Sequence, residues 1–123
     1  MGYRSEVVLA IDKVLMPHFL NVLAQEPDAV PFVFKHNDCL REDYDGKGIL
    51  LVSWSDIKWY RDSYPPVTAI QKFIDHCDGD KIEGLEEPWE HFRFIRLGED
   101  SDDVEEKGYL NSCDIYITRD ISF

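Results

Sequence analysis

Basic residues are scarce in this chain of 123 residues: 13 Lys and Arg stand against 25 Asp and Glu, a formal net charge of -12. So negative a surface repels nucleic acid and anionic lipid, which argues against direct binding to either. Cysteine is sparse as well. Cys39, Cys77 and Cys113 are odd in number and far apart, unlike a secreted disulfide framework, and they read as reduced thiols in a cytoplasm. No apolar run approaches the roughly 20 residues that cross a bilayer. Residues 1–6 resemble neither a secretory leader nor a myristoylation signal. A glycine-rich phosphate cradle, a nucleophile elbow and a paired catalytic motif are all missing, so no catalytic residue and no cofactor is assigned.

What is present is apolar material for one core: 44% of the chain is hydrophobic and 13% of the chain is aromatic. The length and this content predict a single domain over residues 1–123. The negative charge is uneven, with 14 acids and 5 bases in residues 78–123 against 11 and 8 in residues 1–77.

The continuous apolar run Val7, Val8, Leu9, Ala10 predicts a doubly covered strand over residues 3–11. Leu15, Phe19, Val22 and Leu23 then recur at helical spacing, predicting a helix over 15–25 that Asp12 caps and Pro27 ends. Residues 31–35 carry Phe32, Val33 and Phe34 and read as a short strand or irregular cover, followed by polar, turn-rich chain as far as Gly48. Asp45-Gly46 marks a turn into a strand at 49–52, continuing after a kink near 53–55 into 57–60. Val67, Ile70, Ile74 and Cys77 predict a second helix over 66–76. Strands are expected at 91–97 and 114–123, with an acidic, turn-forming connection over 98–108 between them. The sum is an α+β fold: a mainly antiparallel sheet with two helices packed on one face, in a ferredoxin-like arrangement.

The strongest local signal is Glu99, Asp100, Asp102, Asp103, Glu105 and Glu106, six carboxylates in eight residues with no base among them. Such a run persists when water, a metal ion or a basic partner answers the charge. Its spacing lacks the ordered ligands and central glycine of a calcium loop. Glu83, Glu86, Glu87 and Glu90 extend the acidic character upstream. Trp59, Tyr60, Arg61 and Tyr64 form a secondary candidate patch, since aromatics with arginine dominate protein interfaces, but core packing of the indoles ranks ahead of that reading. Arg93 and Arg96 either offset the neighbouring carboxylates across the sheet or make an anion site. His36, Cys39, His76, Cys77 and Cys113 lack the paired spacing of a zinc centre, and no metal is expected.

At Gly2-Tyr3-Arg4-Ser5-Glu6-Val7, at Ile57-Lys58-Trp59-Tyr60, and at Phe94-Ile95-Arg96-Leu97-Gly98-Glu99-Asp100 followed by Asp102-Asp103-Val104-Glu105, the chain resembles small acidic proteins of bacteriophages and prophages. That resemblance implies a phage setting and carries no activity. The expected function is an acidic protein-binding module that occupies a basic, nucleic-acid-binding surface of a host protein as an inhibitor or anti-defence factor. The alternatives are a divalent-metal-dependent enzyme acting on phosphates or nucleotides, with Asp100, Asp102 and Asp103 as ligands, and a structural or assembly role in a phage particle.

Overall fold

Strand-forming residues with apolar side chains on both faces set the architecture. The computed structural model describes residues 4–44, 46, 48–60, 64–78, 87–100, 102–110, 116–117 and 121–122. Strand β1 (Ser5–Ile11) is buried along nearly its whole length, as a central strand must be. A single 3-10 turn, Lys13–Leu15, leads into helix α1 (Met16–Ala24), with Pro17 in its first turn, where a missing N–H costs little. Helix α2 (Ala29–Phe34) and strands β2 (Cys39–Tyr44) and β3 (Ile49–Ile57) follow. Helix α3 (Pro65–Asp78), a 3-10 turn at Pro88–His91, and strands β4 (Phe92–Gly98) and β5 (Val104–Lys107) complete the main body. Strands β6 (Tyr116–Ile117) and β7 (Ile121–Ser122) pair with each other in a separate two-stranded sheet.

The main sheet has the order β2-β3-β1-β4-β5, and every neighbouring pair is antiparallel. With helices joining β1 to β2 and β3 to β4, its first four strands have the split βαβ order of a ferredoxin-like sandwich, and β5 is an added edge. Side-chain alternation then divides the core. Val7, Leu9 and Ile11 of β1, Leu50, Val52 and Trp54 of β3, and Phe92 and Phe94 of β4 share one buried cluster with Phe19 and Leu23 of α1, Phe32 and Val33 of α2, and Ile70, Phe73 and Ile74 of α3. The helices therefore cover one face of the sheet. The opposite face carries a smaller cluster of Val8, Ala10, Ile49, Leu51 and Ile95, joined by Leu110 from the chain after β5.

Several segments depart from the sequence reading. Residues 31–35 lie in a helix for most of their length rather than in a strand, so among the described residues three helices, not two, cover the sheet. A short apolar run suits either state, and the deciding contact is tertiary: Phe32 stacks on Trp54 at 5.0 Å, and the Trp54 indole N–H donates to the Phe32 carbonyl at 3.2 Å. The polar stretch before Gly48 contains β2, an edge strand in which charged residues are tolerated because one side faces water. Strand β3 is continuous to Ile57 through a bulge. Ser5 pairs with Ile57 while Val7 pairs with Trp54, so β3 holds one residue more, and Asp56 takes a left-handed φ of 53° there. Residues 58–60 are not strand. The expected strand over 114–123 is instead two short strands folded back on each other, and 98–108 contains β5. Asp12 precedes the first helical turn but makes no side-chain cap; its carboxylate lies 3.4 Å from Nδ1 of His91. No described helix is long and apolar enough to cross a membrane.

Candidate functional site

The acidic run is built into a hairpin. In β4, Phe92, Phe94 and Arg96 point to the helix-bearing face, whereas Arg93, Ile95 and Leu97 point to the other, so the two arginines lie on opposite sides of the sheet. The ladder sets Arg96 directly opposite Glu105 and Ile95 opposite Glu106. Glu105 and Lys107 thus share a face with Arg96, and Glu106 shares one with Arg93.

Each arginine answers the carboxylates on its own side. Arg96 donates from Nη1 and Nη2 to the two oxygens of Asp103 at 3.2 and 2.8 Å and from Nε to Glu105 at 3.3 Å. Its Nη1 also lies 3.3 Å from the hydroxyl of the buried Ser5. The two-pronged contact with one carboxylate is the strong geometry for a guanidinium. The bond to Asp103 leads in strengthening the hold of Arg96 on its proton; partial burial opposes it, and Glu105 adds to it. On the other face Arg93 bonds Glu106 and donates to the Gly108 carbonyl at 3.1 Å. Lys107 reaches Asp75 of α3 at 3.5 Å and Glu105 at 4.0 Å. The turn is closed by Gly98 N–H donating to Asp103 O at 2.8 Å and Asp103 N–H to Asp100 O at 3.0 Å. Arg4 ties it to the start of β1 by donating its backbone N–H to the Glu99 carboxylate at 2.8 Å.

The six carboxylates therefore divide. Asp103 and Glu105 are half-buried and held by Arg96, while Glu99, Asp100, Asp102 and Glu106 are exposed at the tip and along the outer strand. Of the upstream acids, Glu87 and Glu90 flank or occupy the 3-10 turn before β4, at the far end of that strand from Glu99. Seven strand residues separate the two groups by roughly 20 Å. They form two patches, not one. Glu83, Glu86 and Arg61 lie outside the described residues.

The secondary aromatic patch is also divided. Trp59 is only 8% exposed and packs against Trp54, Phe32 and Phe94, so it is a core residue. Tyr60 and Tyr64 remain at the surface. The thiol and imidazole candidates are dispersed too: Cys77 is buried among the helices, Cys39 packs on the opposite face of the sheet, and His36 is exposed after α2. Both described cysteines are free, and burial, with Asp78 adding to it, pushes the Cys77 thiol up to about 12. Among the described residues no three His, Cys, Asp or Glu side chains are placed to hold a metal ion. Cys113 lies outside them.

The sequence reading passed over Arg4 and Asp56. They help line a cleft of about 380 Å³ beside the acidic tip, together with Glu6, Ser55 and Glu99. Arg4 donates from Nη1 to the Asp56 carbonyl at 3.1 Å. Nothing local announces this cleft, because its walls come from three strands whose register only the folded sheet establishes. In comparisons with family models, with curated proteins and with solved structures, nothing matches this chain.

Proposed function

We propose that the chain is an acidic recognition module of phage type, whose β4–β5 hairpin tip docks on a basic, nucleic-acid-binding surface of a host protein. The observation that carries the reading is the division of labour in the hairpin. Arg96 and Arg93 hold Asp103, Glu105 and Glu106, which braces the turn, while Glu99, Asp100 and Asp102 are exposed on it. Carboxylates on a braced turn lose less freedom on binding than those on a floppy loop. The net charge of -12 would draw a basic partner in and favour release of its counterions. The phage setting is itself part of the proposal and rests on the short motifs at residues 2–7, 57–60 and 94–105.

A phosphate-directed metal enzyme is less well supported. It requires Asp103 as a ligand and Arg93 or Arg96 on substrate, and all three are engaged with one another or with Glu105 and Glu106.

The test follows from the same geometry. Changing Asp103 or Glu105 would unbrace the hairpin, so the informative variant is Glu99→Gln, Asp100→Asn and Asp102→Asn together; the amide introduced at position 99 keeps an oxygen to accept the Arg4 N–H that ties the turn to β1. Capture of a partner from bacterial lysate should be strong at low salt, weak at high salt and lost in this variant, with the unfolding midpoint unchanged. Exposed pairs are worth about 0.2–1 kcal/mol each, so three lost pairs suffice to reduce capture several-fold. Capture that survives the triple change, or that is indifferent to salt, refutes the proposal.

A further inference from the structure

Two imidazoles meet where α1 crosses α3. The His18 ring on α1 lies 5.8 Å, centroid to centroid, from the His76 ring on α3, and 5.8 Å from the Phe73 ring. Nε2 of His18 is buried and has no hydrogen-bond partner among the described residues. One turn on from His18 in α1 and one turn back from His76 in α3, Val22 and Lys72 line a groove of about 360 Å³ between the two helices. The histidine pair therefore closes one end of a seam whose neighbouring stretch is already open.

We infer that His18 and His76 form an acid-sensitive latch, which holds α1 against α3 at neutral pH and loosens that seam as the medium acidifies. A neutral imidazole packs against Phe73 as an aromatic ring. A protonated one presents a cationic N–H with no acceptor, next to a second imidazole. The surrounding elements offer little relief. Helix α2 carries no charged residue, and the 3-10 turn before α1 carries Lys13. The turn before β4 carries Glu90 and His91, the latter beside Asp12 at 3.4 Å. On α3, Lys72, Asp75 and Asp78 accompany His76, and Asp75 is met by Lys107. Among these the charge that acts on His18 is that of His76.

Burial first, and His76 second, lower the proton affinity of His18 below the ordinary value of 6.5. Between that lowered value and 6.5, the unfolded chain binds a proton that the folded chain refuses. The stabilisation is thus fully present above 6.5 and is lost as pH falls below it. Loss at the latch falls on the α1–α3 contact rather than on the sheet.

Proton NMR titration of the four histidine rings, with amide exchange across α1 corrected for intrinsic pH dependence, tests this. The His18 ring should titrate below 6.5. Exchange in residues 16–24 should be several-fold faster at pH 5 than at pH 7.5, relative to strand β1. His76→Gln should move the His18 titration upward, and His18→Phe should remove most of the acid-induced exchange. A His18 titration at or above 6.5 in the parent protein overturns the latch. So does acid-induced exchange that is undiminished in both variants.

Discussion

Gly108 decides whether the acidic hairpin can rejoin the body of the protein. It follows β5 directly, has a φ of +83°, and a Cβ placed on it would stand 2.1 Å from the carbonyl oxygen of Phe92 and 2.8 Å from the carbonyl carbon. Carbon and carbonyl oxygen ordinarily meet at about 3.3 Å, so one of two backbone segments must move by roughly 1 Å. Neither moves freely. The Leu110 N–H donates to that same Phe92 oxygen at 3.2 Å, the Tyr109 N–H to Trp89 O at 2.7 Å, and Arg93 holds the Gly108 carbonyl. For Gly108→Ala, left-handed strain costs about 1–2 kcal/mol. Two weakened backbone bonds add about 0.5–1.5 kcal/mol each, giving a loss of about 2–5 kcal/mol. With a urea slope of about 2 kcal/mol/M, the middle of the typical range, the midpoint should fall by roughly 1–2.5 M. Gly46→Ala is the internal control: its φ is +68° but no atom lies within 4 Å of the added carbon. It should show only the strain, about 1 kcal/mol. Equal midpoints for the two variants would refute the close approach at Phe92 and the account of how the hairpin is anchored.

Arg96→Met keeps the aliphatic stem and removes the guanidinium from Asp103, Glu105 and Ser5. Because those carboxylates are 33% and 20% exposed, water recovers part of the loss. The expected destabilisation is about 1–2 kcal/mol by chemical denaturation, with faster amide exchange in β5; an unchanged midpoint would mean that the fork contributes nothing. Iodoacetamide at pH 8 should alkylate Cys39 well before Cys77, since the latter is buried and its thiol is held at about 12, far above the reagent's useful range. Peptide mass spectrometry showing the reverse order would contradict the placement of Cys77 in the helix-face core.

Where a segment's own residues carry a long, regular pattern, the sequence determined the local structure. The apolar run of β1, the helical spacing in α1 and α3, and the strand at the start of β3 were all legible, and their order pointed to the ferredoxin-like sheet. The excess of acid was legible as well; for Arg93 and Arg96 the sequence left two readings, and the structure shows the one in which they offset it. Short or polar segments were not. Residues 29–34 became a helix because Phe32 found Trp54, a partner far away in sequence, and β2 and β5 became strands because a neighbouring edge offered unpaired backbone groups. Composition treats all ten candidate carboxylates alike, but pairing in the ladder separated those held by arginine from those left at the tip, and strand length put Glu87 and Glu90 at the other end of the sheet. The contact between His18 and His76 has no local signature whatever. A chain's periodicity records which face each residue prefers, whereas register and helix crossing decide which faces meet, and those depend on the whole fold.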